Sequence, residues 1–411
     1  LLSGAVGEKP DRRVEKEGGG LIQINRLALL GEFNAASSKQ LLAYYKFKGY
    51  PLQYNRKTRK PTTGEEAIEK TLLTYPEDPI LPRAVDLRHL KKGAGDLKDA
   101  SLGRDGRFHS DFPLEPDTGR LASRRPNLMN VPQGRDGGVE GQIAHLIRST
   151  IIPDEGKVLI EFDWKAIEAV LTGWFANDPG YIRLSLLDSH GFYTSYLLAD
   201  DGKIKEPFSA DDPDLQTKLD WLKANFSKER AIGKKINLAL GYGMGPKLLA
   251  RILRCSTSEA VRYIQIKDRM APIVTEWKAK TQLQAHHDRK LMNPFGFIRY
   301  FFSVFTKTSR GTWRPAEEAN EALAFLPQST AAAMLRWVIV ELGRMEKEYD
   351  FELLIPIHDA IIVQTSPSNV KRVIAAVKAV MEREWPELKG LSIKVSTKVG
   401  NKNWALMTDD D

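Results

Sequence analysis

The chain has 411 residues, 42% of them hydrophobic and 28% charged. This is a globular composition rather than a disordered one, and at about one domain per 150 residues the length predicts two or three domains. No run reaches the ~18 uncharged apolar residues of a membrane span. The single cysteine, Cys255, excludes an internal disulfide framework and a cysteine-based zinc cluster, and fits a reducing compartment. Lys and Arg number 61 against 53 Asp and Glu, a formal charge of +8. That excess suits a polyanionic partner, because neutralised phosphates release counterions, and it equally suits a solvated basic surface. The chain starts Leu1-Leu2-Ser3, without methionine or the basic-then-apolar pattern of a secretion signal. A fragment or processed form of a longer protein is expected.

Residues 1–20, rich in glycine and charge, read as a mobile lead-in. Ser37 to Tyr45 has helical apolar spacing, and Thr63-Gly64-Glu65-Glu66 predicts a capping box opening a second helix toward Leu73. Together they predict a small helical subdomain over about 25–95, with the basic run Arg56-Lys57-Thr58-Arg59-Lys60 between its helices. Residues 103–137, rich in Gly, Pro, Arg and Asp, predict irregular structure with short strands. Val158 to Phe162 reads as a strand closed by Asp163, followed by a helix from Ala166 to Phe175. Residues 180–345 read as mainly helical, broken at Gly241-Tyr242-Gly243, Asn293-Pro294 and Gly311, with a capping box at Ser256-Thr257-Ser258-Glu259. Two apolar runs around His358-Asp359-Ala360 predict a hairpin. Val370 to Met381 predicts an amphipathic helix and Leu391 to Val399 a final strand.

Two features carry chemistry. Asp163 closes an apolar strand and Asp359 sits at the tip of an apolar hairpin. A carboxylate at the mouth of a buried strand is costly unless solvated or bound to metal. Two of them together could bind a pair of Mg²⁺ ions and clamp the oxygens of a phosphoryl transfer; each alone is equally an ordinary turn aspartate. On the helical segment, Arg230, Lys234, Leu238 and Tyr242 recur every fourth residue and share one stripe. Two cations, then an apolar residue, then an aromatic suit a nucleotide lying along the helix. The plainer reading is a basic surface helix with its apolar edge in a core.

Taken in order, these segments resemble the family A DNA polymerases. Phe162-Asp163-Trp164-Lys165-Ala166-Ile167-Glu168 resembles the family's motif A, DYSQIELR. Arg230 through Gly243 resembles motif B, RxxxKxxxFxxxYG, and Ile357-His358-Asp359-Ala360 resembles motif C, VHDE. Lesser matches lie in register. Phe33-Asn34 with Ser37-Ser38-Lys39-Gln40-Leu41 resembles FNxxSxKQL, and Thr118 to Ser123 with Pro126 to Pro132 resembles TGRLSSxxPNLQNIP. Asp188-Ser189-His190 resembles the family's DIH, and Pro327 to Ala332 resembles MQGTAAD. The likeness covers about residues 33–405.

The resemblance implies an α+β right hand. A lead-in or remnant of an upstream domain occupies 1–30 and a helical thumb 31–95. An antiparallel-sheet palm is split between 96–170 and 320–411, around helical fingers at 171–319. It implies DNA-directed DNA synthesis on a primer 3′ end with two Mg²⁺ ions, or Mn²⁺ in their place. The implied partners are primer-template DNA and deoxynucleoside triphosphates; the chain is expected to be monomeric and off the membrane, in a bacterial or phage-infected cytoplasm or an organelle. Asp163 and Asp359 would hold the metals. Arg230, Lys234 and His190 would contact the triphosphate, with Lys234 a proton donor to the leaving group. Glu168 would exclude the 2′-hydroxyl, Leu238 would pack on the incoming sugar, and Tyr242 would stack near the templating base. Arg120, Gln328 and His358 would touch primer-template; Arg148 matches a family arginine upstream of motif A and belongs to the same group. A proofreading exonuclease needs ~150 further residues, for which the chain has no room.

Three departures stand out: Leu238 for Phe or Tyr, Ala360 for the Glu of motif C, and Trp164-Lys165-Ala166 for Tyr-Ser-Gln. An apparent insertion falls around Gln133–Gly141. The rival readings are a single-subunit RNA polymerase, a reverse-transcriptase-like variant and a non-catalytic primer-template binding module. Leu238 has no hydroxyl to stand in for a missing 3′-hydroxyl on the incoming nucleotide. The chain is therefore expected to use dideoxynucleotides poorly and Leu238→Tyr to use them well, as terminator incorporation would measure; equal incorporation by both would refute this.

Overall fold

The computed structural model describes residues 14–15, 21–22, 33–55, 58–98, 100–113, 117–131, 138–241, 245–253 and 255–410. The chain divides into two compact units, Leu1–Lys98 with Pro132–His145, and Asp99–Val131 with Leu146–Asp411. The residues of the expected thumb, 31–95, lie in the first; the expected fingers and most of the expected palm lie in the second, but residues 96–98 and 132–145 of that palm fall in the first.

In the first unit, strands β1 (Val14–Glu15) and β2 (Leu21–Ile22) pair antiparallel; the rest of the expected lead-in lies outside the described residues. Helix α1 (Ser38–Lys48) opens where the Ser37 side chain accepts from the Gln40 amide, and closes at Gly49, whose φ of 69° suits only glycine well. Strands β3 (Gln53–Tyr54) and β4 (Pro61–Thr62) form a hairpin whose loop exposes Thr58, Arg59 and Lys60; Arg56 and Lys57 lie outside the described residues. Helix α2 (Glu65–Thr74) lacks the expected capping box. Gly64 occupies the cap position, and the Thr62 hydroxyl bonds the Gly64 amide instead of capping the helix. Helix α3 (Leu81–Lys98) completes the unit. Its core is aromatic, and buried Asp78 accepts from Tyr44 and Tyr50 hydroxyls (2.7 and 2.6 Å) and from the Ile80 and Leu81 amides. Residues 139–145 of helix α4 (Val139–Ser149) belong to this unit.

The second unit is built on strand β5 (Val158–Trp164). Five helices follow it: α5 (Ile167–Ala176), α6 (Pro179–Leu186), α7 (Ser189–Asp200), α8 (Leu215–Asn225) and α9 (Ser227–Gly241). Then come α10 (Pro246–Leu253), α11 (Thr257–Met270), which forms its predicted capping box, and α12 (Pro272–Asp288). The predicted breaks at Asn293-Pro294 and Gly311 are the turns of two small hairpins, β6 (Lys290–Met292) with β7 (Ile298–Tyr300) and β8 (Phe305–Lys307) with β9 (Trp313–Pro315). The break at Tyr242-Gly243 lies outside the described residues. Helix α13 (Ala319–Tyr349) leads to β10 (Phe351–Ile357), β11 (Ala360–Thr365), α14 (Val370–Met381), β12 (Val395–Gly400) and β13 (Thr408–Asp409). The last predicted strand thus starts four residues late and is not the last, because Leu391 bridges to Trp385 before the chain enters the sheet.

Five strands form an antiparallel sheet in the order β10-β11-β5-β12-β13. β5 is its central strand, apolar on one face at Val158, Ile160, Phe162 and Trp164 and carrying Glu161 and Asp163 on the other. Ile160, Phe162 and Trp164 point into a core shared with Leu171 of α5, Leu335 of α13 and Val377 of α14. Each such fully buried large side chain is worth about 1.5–3 kcal/mol. The Trp164 indole donates to the Met381 carbonyl at 3.0 Å, tying α14 to the strand. Helix α13 corrects one expectation: it has an 18-residue window of mean hydropathy 1.3, apolar enough by length and composition to cross a membrane. In the fold 61% of that window is buried, so its apolar side chains are spent on the core.

A second core joins α7 and α9, through Phe192, Tyr193, Leu197, Ile236 and Leu240. The two helices meet closely at Gly233, where a Cβ would stand 2.2 Å from the Oγ1 of fully buried Thr194. Gly233→Ala is expected to destabilise the chain by about 1–3 kcal/mol through this overpacking. Adding Thr194→Ala should recover most of the loss, as urea unfolding of the single and double variants would measure.

Candidate functional site

Asp163 is placed by pairing on both sides. It does not end its strand, as the sequence reading had it. β5 continues through Trp164, because Ala360 of β11 and Ser396 of β12 pair with Asp163 from either side. Strand alternation sends Ile160, Phe162 and Trp164 to the core, and therefore sends Asp163 to the opposite face with Glu161. Its flanking neighbours on that face, Ala360 and Ser396, are small. Glu161 is buried and held by Lys398 at 2.8 Å and by the Trp404 indole.

Asp359 lies in the tight β10–β11 turn, where Ile357 pairs with Ala360. His358 takes a φ of 52° there, a left-handed conformation rare outside glycine. Its amide meets the Met129 sulfur at 3.3 Å. The Trp164 amide donates to the Asp359 carbonyl at 3.5 Å, so the Asp359 backbone lies opposite Trp164, one position along from the Asp163–Ala360 pair. Asp359 is half-buried, and burial pushes its carboxyl above the usual range against the opposing pull of Arg120 and His358. Arg120, Leu121, Met129, Ala332, Leu335, His358 and Asp359 line one small cleft. The Arg120 guanidinium pairs with Glu168, in the first turn of α5. Arg120, Glu168 and the His358-Asp359 turn are therefore assembled from three separate segments.

This donor set fits a hard divalent cation. Mg²⁺ takes one or two carboxylates and completes its shell with water and phosphate oxygens, and a carboxylate short of solvent gains most from a cation. Ala360 stands where the family has a third carboxylate. Among the described residues no group of three or more His, Cys, Asp or Glu is placed to hold a metal ion.

Helix α9 presents the predicted stripe. Gly233, Ile236, Asn237 and Leu240 are buried, while Lys234 and Leu238 are exposed and Arg230 is half-buried. Leu238, 43% exposed, is not the core edge that the plainer reading required. Tyr242 lies outside the described residues. Arg230 carries a feature the sequence reading missed: its Nε and Nη2 donate to the two carboxylate oxygens of Asp188 at 2.6 and 2.9 Å. Asp188 also caps α7 by accepting from the Gly191 amide at 3.0 Å. The fork leaves the Nη1 edge of Arg230 uncommitted to Asp188. His190, half-buried in the first turn of α7, faces Asn237 of α9. The remaining expected residues sit apart. Gln328 is half-buried on α13 next to Pro327, and Arg148 stacks on the Trp404 ring at 4.0 Å. Asp188 could have been suspected from its cap position; nothing local signalled Asn237.

The sequence model of DNA polymerase family A matches residues 20–406. The chain is 26% identical over 362 residues to the thermostable DNA polymerase I of Thermus thermophilus, covering 85% of this chain and 38% of that protein. It is 27% identical over 368 residues to DNA polymerase I of Streptococcus pneumoniae, again covering 85% and 38%. In fold it is similar to the POL domain of Pol1 from M. smegmatis, solved in complex with DNA primer-template and dNTP, with a TM-score of 0.72 and 22% identity over 92% of this chain and 62% of that one. The fold is thus the α+β fold of a polymerase domain. The chain belongs to DNA polymerase family A, and it spans well under half the length of the Thermus thermophilus and Streptococcus pneumoniae proteins.

The Arg230–Asp188 fork yields a pH test. Burial pushes the Asp188 carboxyl up, but the Arg230 hydrogen bonds and the Gly191 amide outweigh it and hold the group below its ordinary 3.8. A depressed carboxyl stabilises the fold above its unfolded value, and that contribution is lost as pH falls through the folded value. Asp188→Asn should cost about 1–3 kcal/mol at pH 7. Urea melts from pH 7 down to pH 3 should show the gap from the parent chain closing at the acid end.

Proposed function

We propose that the chain is the polymerase module of a DNA-directed DNA polymerase, extending a primer 3′ end from deoxynucleoside triphosphates. The observation that carries this is the β5–β11 register, which pairs Asp163 with Ala360, the residue after Asp359; family membership supports it. Family A polymerases use divalent metal ions. Here Asp163 and Asp359 would hold two Mg²⁺, with Mn²⁺ as a substitute. When bound, such ions neutralise charge on the attacking and leaving oxygens of a phosphoryl transfer.

The protein's own groups do the rest, which is mostly positioning and charge stabilisation. Lys234, the free edge of Arg230 and His190 bind the triphosphate, and fixed cations there stabilise the charge that grows on the pyrophosphate. Lys234 is the proton donor to that leaving group. Glu168, steadied by Arg120, occupies the space of a 2′-hydroxyl. Leu238 packs on the sugar, and Tyr242 stacks near the templating base. Arg120, Gln328, His358 and Arg148 bear on the primer-template, and the exposed Arg59 and Lys60 of the β3–β4 loop on the duplex backbone. In this reading 31–95 is the thumb, 96–170 and 320–411 the palm, and 171–319 the fingers, and the chain works as a monomer.

Extension of a labelled primer tests this. The parent chain should add dNTPs with Mg²⁺ and stop in EDTA, and Asp163→Ala or Asp359→Asn should lower the rate about 10³-fold or more. NTPs should be poor substrates and improve in Glu168→Ala. Equal inactivity of the parent and Asp359→Asn, with both binding DNA, would favour a non-catalytic module.

A further inference from the structure

Helix α11 sends a lysine toward α9. The Lys267 Nζ donates to Oδ1 of Asn237 at 2.6 Å. Nδ2 of Asn237 lies 3.1 Å from Nδ1 of His190 and 3.3 Å from the Ser189 carbonyl oxygen. Asn237 is buried, 6% exposed, so its amide has no solvent alternative.

The chemistry of these partners dictates where each proton sits. An ammonium only donates, so the atom it meets must be the amide oxygen. A carbonyl only accepts, so the atom facing Ser189 must be the NH₂ group. Both conditions turn the NH₂ of Asn237 toward His190. Nδ1 of His190 then accepts, and in the neutral ring the proton belongs to Nε2.

We propose that Lys267, acting through Asn237, is a positioning residue that holds His190 as its Nε2–H tautomer, a fixed donor for the triphosphate of the incoming nucleotide. This rests on the reading of His190 as a triphosphate contact. The charges around the relay point the same way. His190 is faced by Asp188 of its own helix, by Arg230 and Lys234 of α9, and by Lys267 of α11. Asp188 pairs with Arg230 through both carboxylate oxygens. Lys267 itself is faced by Lys278 of α12 and by neighbouring Asp268; burial first, then Lys278, brings it down to about 8. The ammonium is therefore present at neutral pH and lost as pH rises through that value.

Primer extension by the full chain tests this, with KM for dNTP read separately from kcat. Lys267→Met should raise KM about tenfold, the worth of one charge-assisted hydrogen bond, and lower kcat less than about threefold. Lys267→Arg should restore KM. kcat/KM of the parent should fall as pH rises above about 8, and that fall should be absent in Lys267→Arg, because arginine does not titrate there. In a His190→Ala background Lys267→Met should add nothing further. Nitrogen-15 spectra of the ligand-free chain should show His190 with a bare Nδ1 and a protonated Nε2, and a mixture of tautomers in Asn237→Ala; this readout serves even where Lys267→Met folds poorly. The inference fails, with the His190 reading intact, if His190→Ala raises KM and Lys267→Met does not. It also fails if Lys267→Met is equally damaging in both backgrounds, or if the His190 proton sits on Nδ1. Unchanged KM in His190→Ala would remove the triphosphate reading itself, and this proposal with it.

Discussion

The antiparallel register between β5 and β11 is the constraint on which the rest of this molecule depends. It pairs Asp163 with Ala360 and so sets the backbone of Asp359, one residue earlier in the turn, opposite Trp164. A shift of one residue would turn Asp163 into the core and Phe162, Ile160 and Trp164 out of it. The core is therefore what enforces the site. The large side chains that α5, α13 and α14 bury on one face of the sheet hold the carboxylate on the other.

The cationic half of the site rests on a different contact. Gly233 lets α9 lie close against α7, with fully buried Thr194 filling the space a side chain would need. That closeness lets Arg230 reach both oxygens of Asp188, and Asn237 reach His190. A neutralised arginine, an exposed lysine and a tautomer-fixed histidine make a graded surface rather than a plain cluster of charge.

The errors of the sequence reading have physical causes. Asp163 looked like a strand end because a charge after an apolar run usually meets solvent; strands on both sides carry the ladder through it. The Thr63-Gly64-Glu65-Glu66 box failed because glycine has no side chain to cap with. The apolar stretch of α13 was not recognised as long enough for a membrane span, and its burial against the sheet is a fact of packing. Lys267 was invisible because a lysine on an amphipathic helix reads as solvated, and only the approach of α9 makes it a partner.

What sequence alone determined was local and periodic. The fourfold stripe of α9, the hairpin at His358-Asp359, the span of α14 and the ordered motifs of the family all follow from spacing within one element, which the covalent chain sets directly. Tertiary structure decided everything that needs two elements at once: the pairing of Asp163 with Ala360, the Arg230–Asp188 fork, the Arg120–Glu168 pair and the Lys267–Asn237–His190 relay. Those contacts join residues tens to hundreds of positions apart. Their geometry is fixed by how cores pack and strands register, quantities that no single stretch of chain contains.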